Sequence, residues 1–146
     1  MLPHAPETSA ILDRMPGTPP PAGAPLVLVI DDVEDNREVY AQFLRHEGWQ
    51  VATAEEGIEG LTMAARLGPA VIVLDLGLPT IDGWEVARRL KESPLTREIP
   101  VIALTGYGTN DARWRAIAAG VDEYVVKPCV PADLLAAIRR RLESKE

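Results

Sequence analysis

Leu26-Val27-Leu28-Val29-Ile30 is an unbroken apolar run, closed by the acidic pair Asp31-Asp32. A strand with one wet face alternates apolar and polar side chains. A run without alternation suits a strand buried on both faces, as in a parallel sheet. Ala70-Val71-Ile72-Val73-Leu74 repeats the pattern, as does Val101-Ile102-Ala103-Leu104. Pro100 enters the latter at a position where a strand start tolerates proline. Tyr124-Val125-Val126 is a fourth run, and Gln50-Val51-Ala52-Thr53 a weaker fifth.

Helical spacing fills the gaps between these runs. Asn36 to His46 carries Val39, Tyr40, Phe43 and Leu44 on one face. Glu55 to Leu67 carries Ile58, Leu61, Met63 and Ala65, and stops at Gly68-Pro69. Gly83 to Lys91 carries Val86, Ala87 and Leu90, with Trp84 on an apolar face where core packing is expected. Asn110 to Ala119 carries Trp114, Ile117 and Ala118, and Gly120 ends it. Pro131 to Leu142 carries Leu134, Leu135, Ile138 and Leu142, with proline at the favoured first position. The order is a strand and a helix, five times over. It predicts a doubly wound α/β sandwich around a parallel sheet.

The chain of 146 residues suits one ordinary domain, and 47% apolar residues suffice for a core. A formal net charge of −7 argues against nucleic acid or an anionic membrane surface as the main partner. Cys129 is the single cysteine, so no internal disulfide forms, and a lone thiol fits a reducing compartment. No basic start with an apolar run marks a secretory signal, and no stretch approaches the ~20 apolar residues that span a bilayer. The expectation is a soluble, cytoplasmic protein. Residues 1–25 hold seven of the thirteen prolines, which predicts an extended, poorly ordered tail before a domain over 26–143.

Open α/β sheets bind ligands outside the carboxyl ends of their strands. Asp31 and Asp32 follow the first strand, and Asp75 then Gly77 follow the third. Thr105 and Gly106 follow the fourth, and Lys127 and Pro128 the fifth. Three carboxylates in one place repel unless positive charge sits among them, and Lys127 supplies only one. A hard divalent cation supplies the rest. Magnesium prefers such oxygen ligands, with manganese as a substitute. Zinc does not fit, because Cys129 stands alone and His4 and His46 lie elsewhere. A cation, an ammonium and a hydroxyl around a carboxylate suit phosphoryl transfer, with Asp75 as nucleophile and Lys127 and Thr105 neutralising phosphoryl oxygens.

The motifs Asp31-Asp32-x-x-x-Asn36-Arg37, Asp75-x-x-x-Pro79-x-x-Asp82-Gly83, Thr105-Gly106 and Tyr124-x-x-Lys127-Pro128 stand in order along residues 25–143. Together they resemble the receiver domain of two-component response regulators, of the chemotaxis-regulator type. The resemblance implies a flavodoxin-like (βα)5 fold with strand order 2-1-3-4-5. It implies that Asp31, Asp32, Asp75 and the Gly77 carbonyl hold magnesium and that Asp75 is the phosphoacceptor. It also implies a cis Lys127–Pro128 bond and a switch formed by Thr105 and Tyr124. Gly77, Gly106 and Tyr107 would flank phosphoryl access, and Cys129 stands where an aromatic is frequent. The implied partners are a sensor histidine kinase or histidine phosphotransfer protein and a downstream protein target. Neither DNA nor membrane is an expected partner, and the last helix–strand–helix face would serve a homodimer. No second domain is expected after Leu142, so output passes through another protein. Such a domain turns over no substrate and catalyses only its own phosphorylation and dephosphorylation.

Asp31 and Asp32 would serve as helix caps in a purely structural reading, but Asp35 and Asn36 lie closer to the helix start. Arg139-Arg140-Arg141 is by default a solvated face that complements the helix dipole. Two other functions compete. A receiver-like fold can act as a binding module without phosphorylation. A phosphatase of the haloacid dehalogenase type also uses a strand-end aspartate, but it needs a second aspartate where this chain has Gly77.

Overall fold

The computed structural model describes residues 24–78, 82–106, 110–127 and 129–143. The expectations for residues 1–23, Pro79, Tyr107 and Pro128 therefore lie outside the described residues, and with them the tail and the form of the Lys127–Pro128 bond. Five strands alternate with five helices: β1 (Leu26–Ile30), α1 (Glu34–His46), β2 (Gln50–Ala54), α2 (Gly57–Leu67) and β3 (Val71–Asp75). Then come α3 (Gly83–Glu92), β4 (Val101–Thr105), α4 (Asn110–Ala118), β5 (Glu123–Val126) and α5 (Pro131–Glu143). All strand pairs are parallel, in the order β2-β1-β3-β4-β5.

The unbroken apolar runs are explained by the two faces of the sheet. Leu28 and Ile30 of β1 and Ile72 and Leu74 of β3 enter one apolar layer with Ala64 of α2, Val86, Ala87 and Leu90 of α3, and Ala116 of α4. Val27, Val29, Val71 and Val73, one position out of step, enter the other with Tyr40, Ala41 and Leu44 of α1 and Leu134, Leu135 and Ile138 of α5. Each valine, leucine or isoleucine among them, once fully buried, contributes about 2 kcal/mol relative to exposure. Among the described residues, no helix is long and apolar enough to cross a membrane.

Some helix faces differ from expectation. Val39 and Ile58 are exposed, at 52% and 44%, while Arg37 is buried on α1 in Val39's stead. α4 buries Ala116 and leaves Trp114 68% exposed and Ile117 49% exposed. The expected capping residues are also absent from the start of α1: Val33 occupies the cap without a side-chain hydrogen bond, and Asp35 is already helical.

The amino end of the sheet is tied by polar side chains. Lys91 of α3 donates from Nζ to the Ile99 carbonyl at 2.8 Å and to Asp122 Oδ2 at 2.9 Å. The same Asp122 oxygen accepts from the Val101 N–H at 2.8 Å. Arg140 and Arg141 of α5 pair with Glu123, so two of the three arginines in that basic run meet their own chain rather than solvent alone.

Candidate metal and phosphoryl site

The opposite, carboxyl end of the sheet gathers the acidic residues. Asp75 is the last residue of β3 and is 5% exposed; its hydrogen-bonded strand β4 ends one residue further, at the buried Thr105. Asp31 follows β1 directly, held by its N–H on the Ala54 carbonyl at 3.1 Å. Carboxylate oxygens of Asp31, Asp32 and Asp75 all lie within 4.8 Å of one another. Lys127 follows β5 and places Nζ 3.3 Å from Asp75 Oδ2. Its own N–H donates to the Thr105 carbonyl at 2.7 Å, which ties the lysine's backbone to the end of β4.

Hydrogen bonds orient two of the carboxylates. Asp75 Oδ1 accepts from the Gly77 N–H at 3.0 Å. Asp31 Oδ1 accepts from the Val33 N–H at 2.9 Å, while its buried Oδ2 has no hydrogen-bond partner among the described residues. Burial holds the Asp31 carboxyl above the ordinary aspartate range. The Val33 N–H draws it down, the Asp75 charge raises it, Lys127 draws it down and Asp32 raises it. An orphaned buried carboxylate oxygen is costly unless something positive meets it. Lys127 offsets one of three carboxylates, so the donor set fits a hard divalent cation with oxygen ligands.

Three features around these residues had no signal in spacing. Arg37 is 9% exposed and donates from Nη1 to the Asp31 carbonyl at 2.9 Å, with Glu55 4.0 Å from Nη2. Tyr40, one turn further along α1, donates its hydroxyl to the Cys129 carbonyl at 3.0 Å. Gly83 opens α3 against the backbone at the end of β3: a Cβ there would lie 2.3 Å from Leu76 Cα and 2.7 Å from the Asp75 carbonyl. Arg37 and Gly83 belong to the strand-end motifs, yet nothing in their positions announced these contacts.

The remaining expected residues lie around the rim. A Cβ on Gly77 would meet Asp75 Oδ1 at an ordinary 3.6 Å, and one on Gly106 would meet nothing within 4 Å, so neither glycine is forced by crowding. Tyr124 is half-buried on β5, beside Ala103 of β4. Asp82 caps α3, accepting from the Glu85 N–H at 2.9 Å. Trp84 packs against the core, and the Arg115 guanidinium of α4 lies 4.4 Å from its ring centre. His46 is exposed, with Glu47 3.8 Å away.

Residues 27–139 match the family described as the response regulator receiver domain. The chain belongs to that family. The receiver domain is also what its relatives share. It is 37% identical over 113 residues to the response regulator PleD of Caulobacter vibrioides, covering 77% of this chain but only 25% of that protein. It superposes on a CheY-like receiver domain protein from Methanospirillum hungatei with a TM-score of 0.78 and 28% identity, covering 84% of this chain and 96% of that one. It is also similar to the receiver domain of the sensor histidine kinase PA1611 from Pseudomonas aeruginosa, solved with a magnesium ion in its active site cleft. That match has 28% identity and a TM-score of 0.77, over 83% of this chain and 99% of that one.

Proposed function

We propose that this receiver is a phosphoacceptor switch: Asp75 takes a phosphoryl group from a histidine kinase or phosphotransfer protein in a magnesium-dependent reaction. The observation that carries the reading is Asp75 itself, nearly buried at a strand end, 3.3 Å from Lys127 Nζ and clustered with Asp31 and Asp32. Asp31, Asp32, Asp75 and the Gly77 carbonyl would hold the ion. When bound, it neutralises carboxylate and phosphoryl oxygens together.

The Asp75 carboxylate oxygen attacks phosphorus, an O–P bond forms, and the P–N bond to the donor imidazole breaks. The electron pair leaves with the imidazole, which takes a proton from solvent. Lys127 meets the charge on one phosphoryl oxygen, and the Thr105 hydroxyl donates to another. The resulting acyl phosphate changes which proteins the receiver binds. Thr105 and Tyr124 transmit the change, the hydroxyl turning to the phosphoryl group and the ring following it. The face of α4, β5 and α5 is then read by a partner. It carries a cavity of about 330 Å³ bounded by Arg113, Ile117, Val121, Tyr124, Arg140 and Arg141.

Intact mass after incubation with magnesium and acetyl phosphate tests the reading. Wild type gains one phosphoryl group, Asp75→Ala gains none, and chelation of magnesium abolishes the gain. Equal masses for both proteins, with a small donor and with a phosphorylated kinase, would favour a binding module that works without phosphate.

A further inference from the structure

Tyr40 is far in sequence from Lys127 and has a polar atom that a packing residue does not need. Its ring lies in the apolar layer between α1, α5 and the sheet, and the residue is 7% exposed. Phenylalanine would fill that space as well. The hydroxyl instead crosses to the loop between β5 and α5 and donates to the Cys129 carbonyl at 3.0 Å, a link spanning 89 positions. Cys129 packs against the same apolar layer, so the loop is seated on that layer as well as bonded to the hydroxyl. Lys127 lies two residues before that carbonyl.

Lys127 needs such a tether. It is the cation on Asp75, at 3.3 Å, and a lysine side chain has a flexible four-carbon stem and strong hydration. Its backbone is fixed on one side, by its N–H on the Thr105 carbonyl. Tyr40 supplies a fixed point on the other side. Burial first, then the electrostatic influence of the nearby Cys129, Asp31 and Asp75, pushes the Tyr40 hydroxyl up to about 12, so it keeps the proton it donates throughout the neutral range.

We propose that Tyr40 is a positioning residue for Lys127: its hydroxyl pins the β5–α5 loop through the Cys129 carbonyl and so aims the ammonium at Asp75. The proposal deepens the phosphoacceptor reading and rests on it for its effect on rate, though not for the tether itself. Tyr40→Phe keeps the ring and removes only the bond.

Three measurements on the full chain separate the tether from its chemical consequence. By hydrogen exchange, the amides of Lys127 and Cys129 exchange about fivefold faster in Tyr40→Phe, the size expected for losing one ordinary hydrogen bond. Amides of β1 and β3 stay unchanged. By kinetics with acetyl phosphate and magnesium, Tyr40→Phe is phosphorylated several-fold more slowly, while its magnesium affinity by calorimetry equals that of wild type. Lys127→Ala is slower still, and adding Tyr40→Phe to it slows it no further, because the tether acts only through the lysine. A merely structural tyrosine would give additive losses and a general rise in exchange. Unchanged exchange at Lys127 and Cys129, or additive losses in the double variant, overturns the proposal. If wild type itself takes no phosphoryl group, the phosphoacceptor reading fails, and the exchange comparison still decides the tether.

Discussion

At the scale of the residue, the site gathers three carboxylates around one lysine, a donor set that fits a hard divalent cation. Asp31 is the most exacting of them: buried, beside Asp75 and Asp32, with Oδ2 unpartnered among the described residues. Its carboxyl is raised above the unfolded value, so the stability tied to this group is greatest below the unfolded pKa and is lost as pH rises through the folded one. The ionised form of this buried carboxyl therefore works against folding. Asp31→Asn keeps an acceptor for the Val33 N–H and removes the charge. Without magnesium its thermal midpoint rises. Millimolar magnesium then stabilises wild type more than the variant. A lower midpoint in the metal-free variant, by scanning calorimetry, would mean that the carboxylates do not strain one another. Much of this site was legible, because each group closes or directly succeeds an apolar run, and a parallel sheet brings all its strand ends to one edge. Arg37 was not. A guanidinium that donates to a main-chain carbonyl answers to no spacing rule, and its burial is visible only once α1 has docked.

At the scale of the element, α3 and the end of β3 touch without a side chain between them. Gly83 makes this possible, and its N–H also donates to the Leu76 carbonyl at 3.1 Å. Gly83→Ala has to push the helix start away from Asp75. It destabilises the fold by about 2 kcal/mol by urea unfolding and slows the phosphoryl gain proposed for Asp75. Gly77→Ala, whose Cβ meets only one carboxylate oxygen at ordinary distance, leaves stability close to wild type and is the control. Equal stabilities for the two variants would refute the close approach. The strands were readable because burial on two faces leaves no polar interruption. Helix faces were harder: α1 exchanges Val39 for Arg37 on its inner side, and Trp114 and Ile117 look like core residues by type while α4 buries Ala116. Residue type alone cannot say which side of a short helix faces the sheet when small and large apolar residues sit on both.

At the scale of the whole molecule, burial is uneven. β1, β3 and β4 are buried along nearly their whole length, whereas among its described side chains α4 buries Ala116, with Arg115 against Trp84. Few buried contacts give a segment low local stability. Amides of α4 therefore exchange with solvent earlier than those of α2 or α3, and the central strands exchange last; exchange of α4 as slow as that of the strands would contradict this. The sheet order was legible only through resemblance, since strand pairing leaves no mark within any single run.

The two ends of the sheet carry different burdens. Lys91, Asp122 and the Val101 N–H lock the amino end together, as a structural clasp. The carboxyl end holds its charges in tension. Inheritance should therefore treat them differently: a change in the clasp costs stability first, while a change among the carboxylates leaves a folded descendant with altered behaviour. New signalling properties can accumulate along one rim of this sheet while the opposite rim stays still.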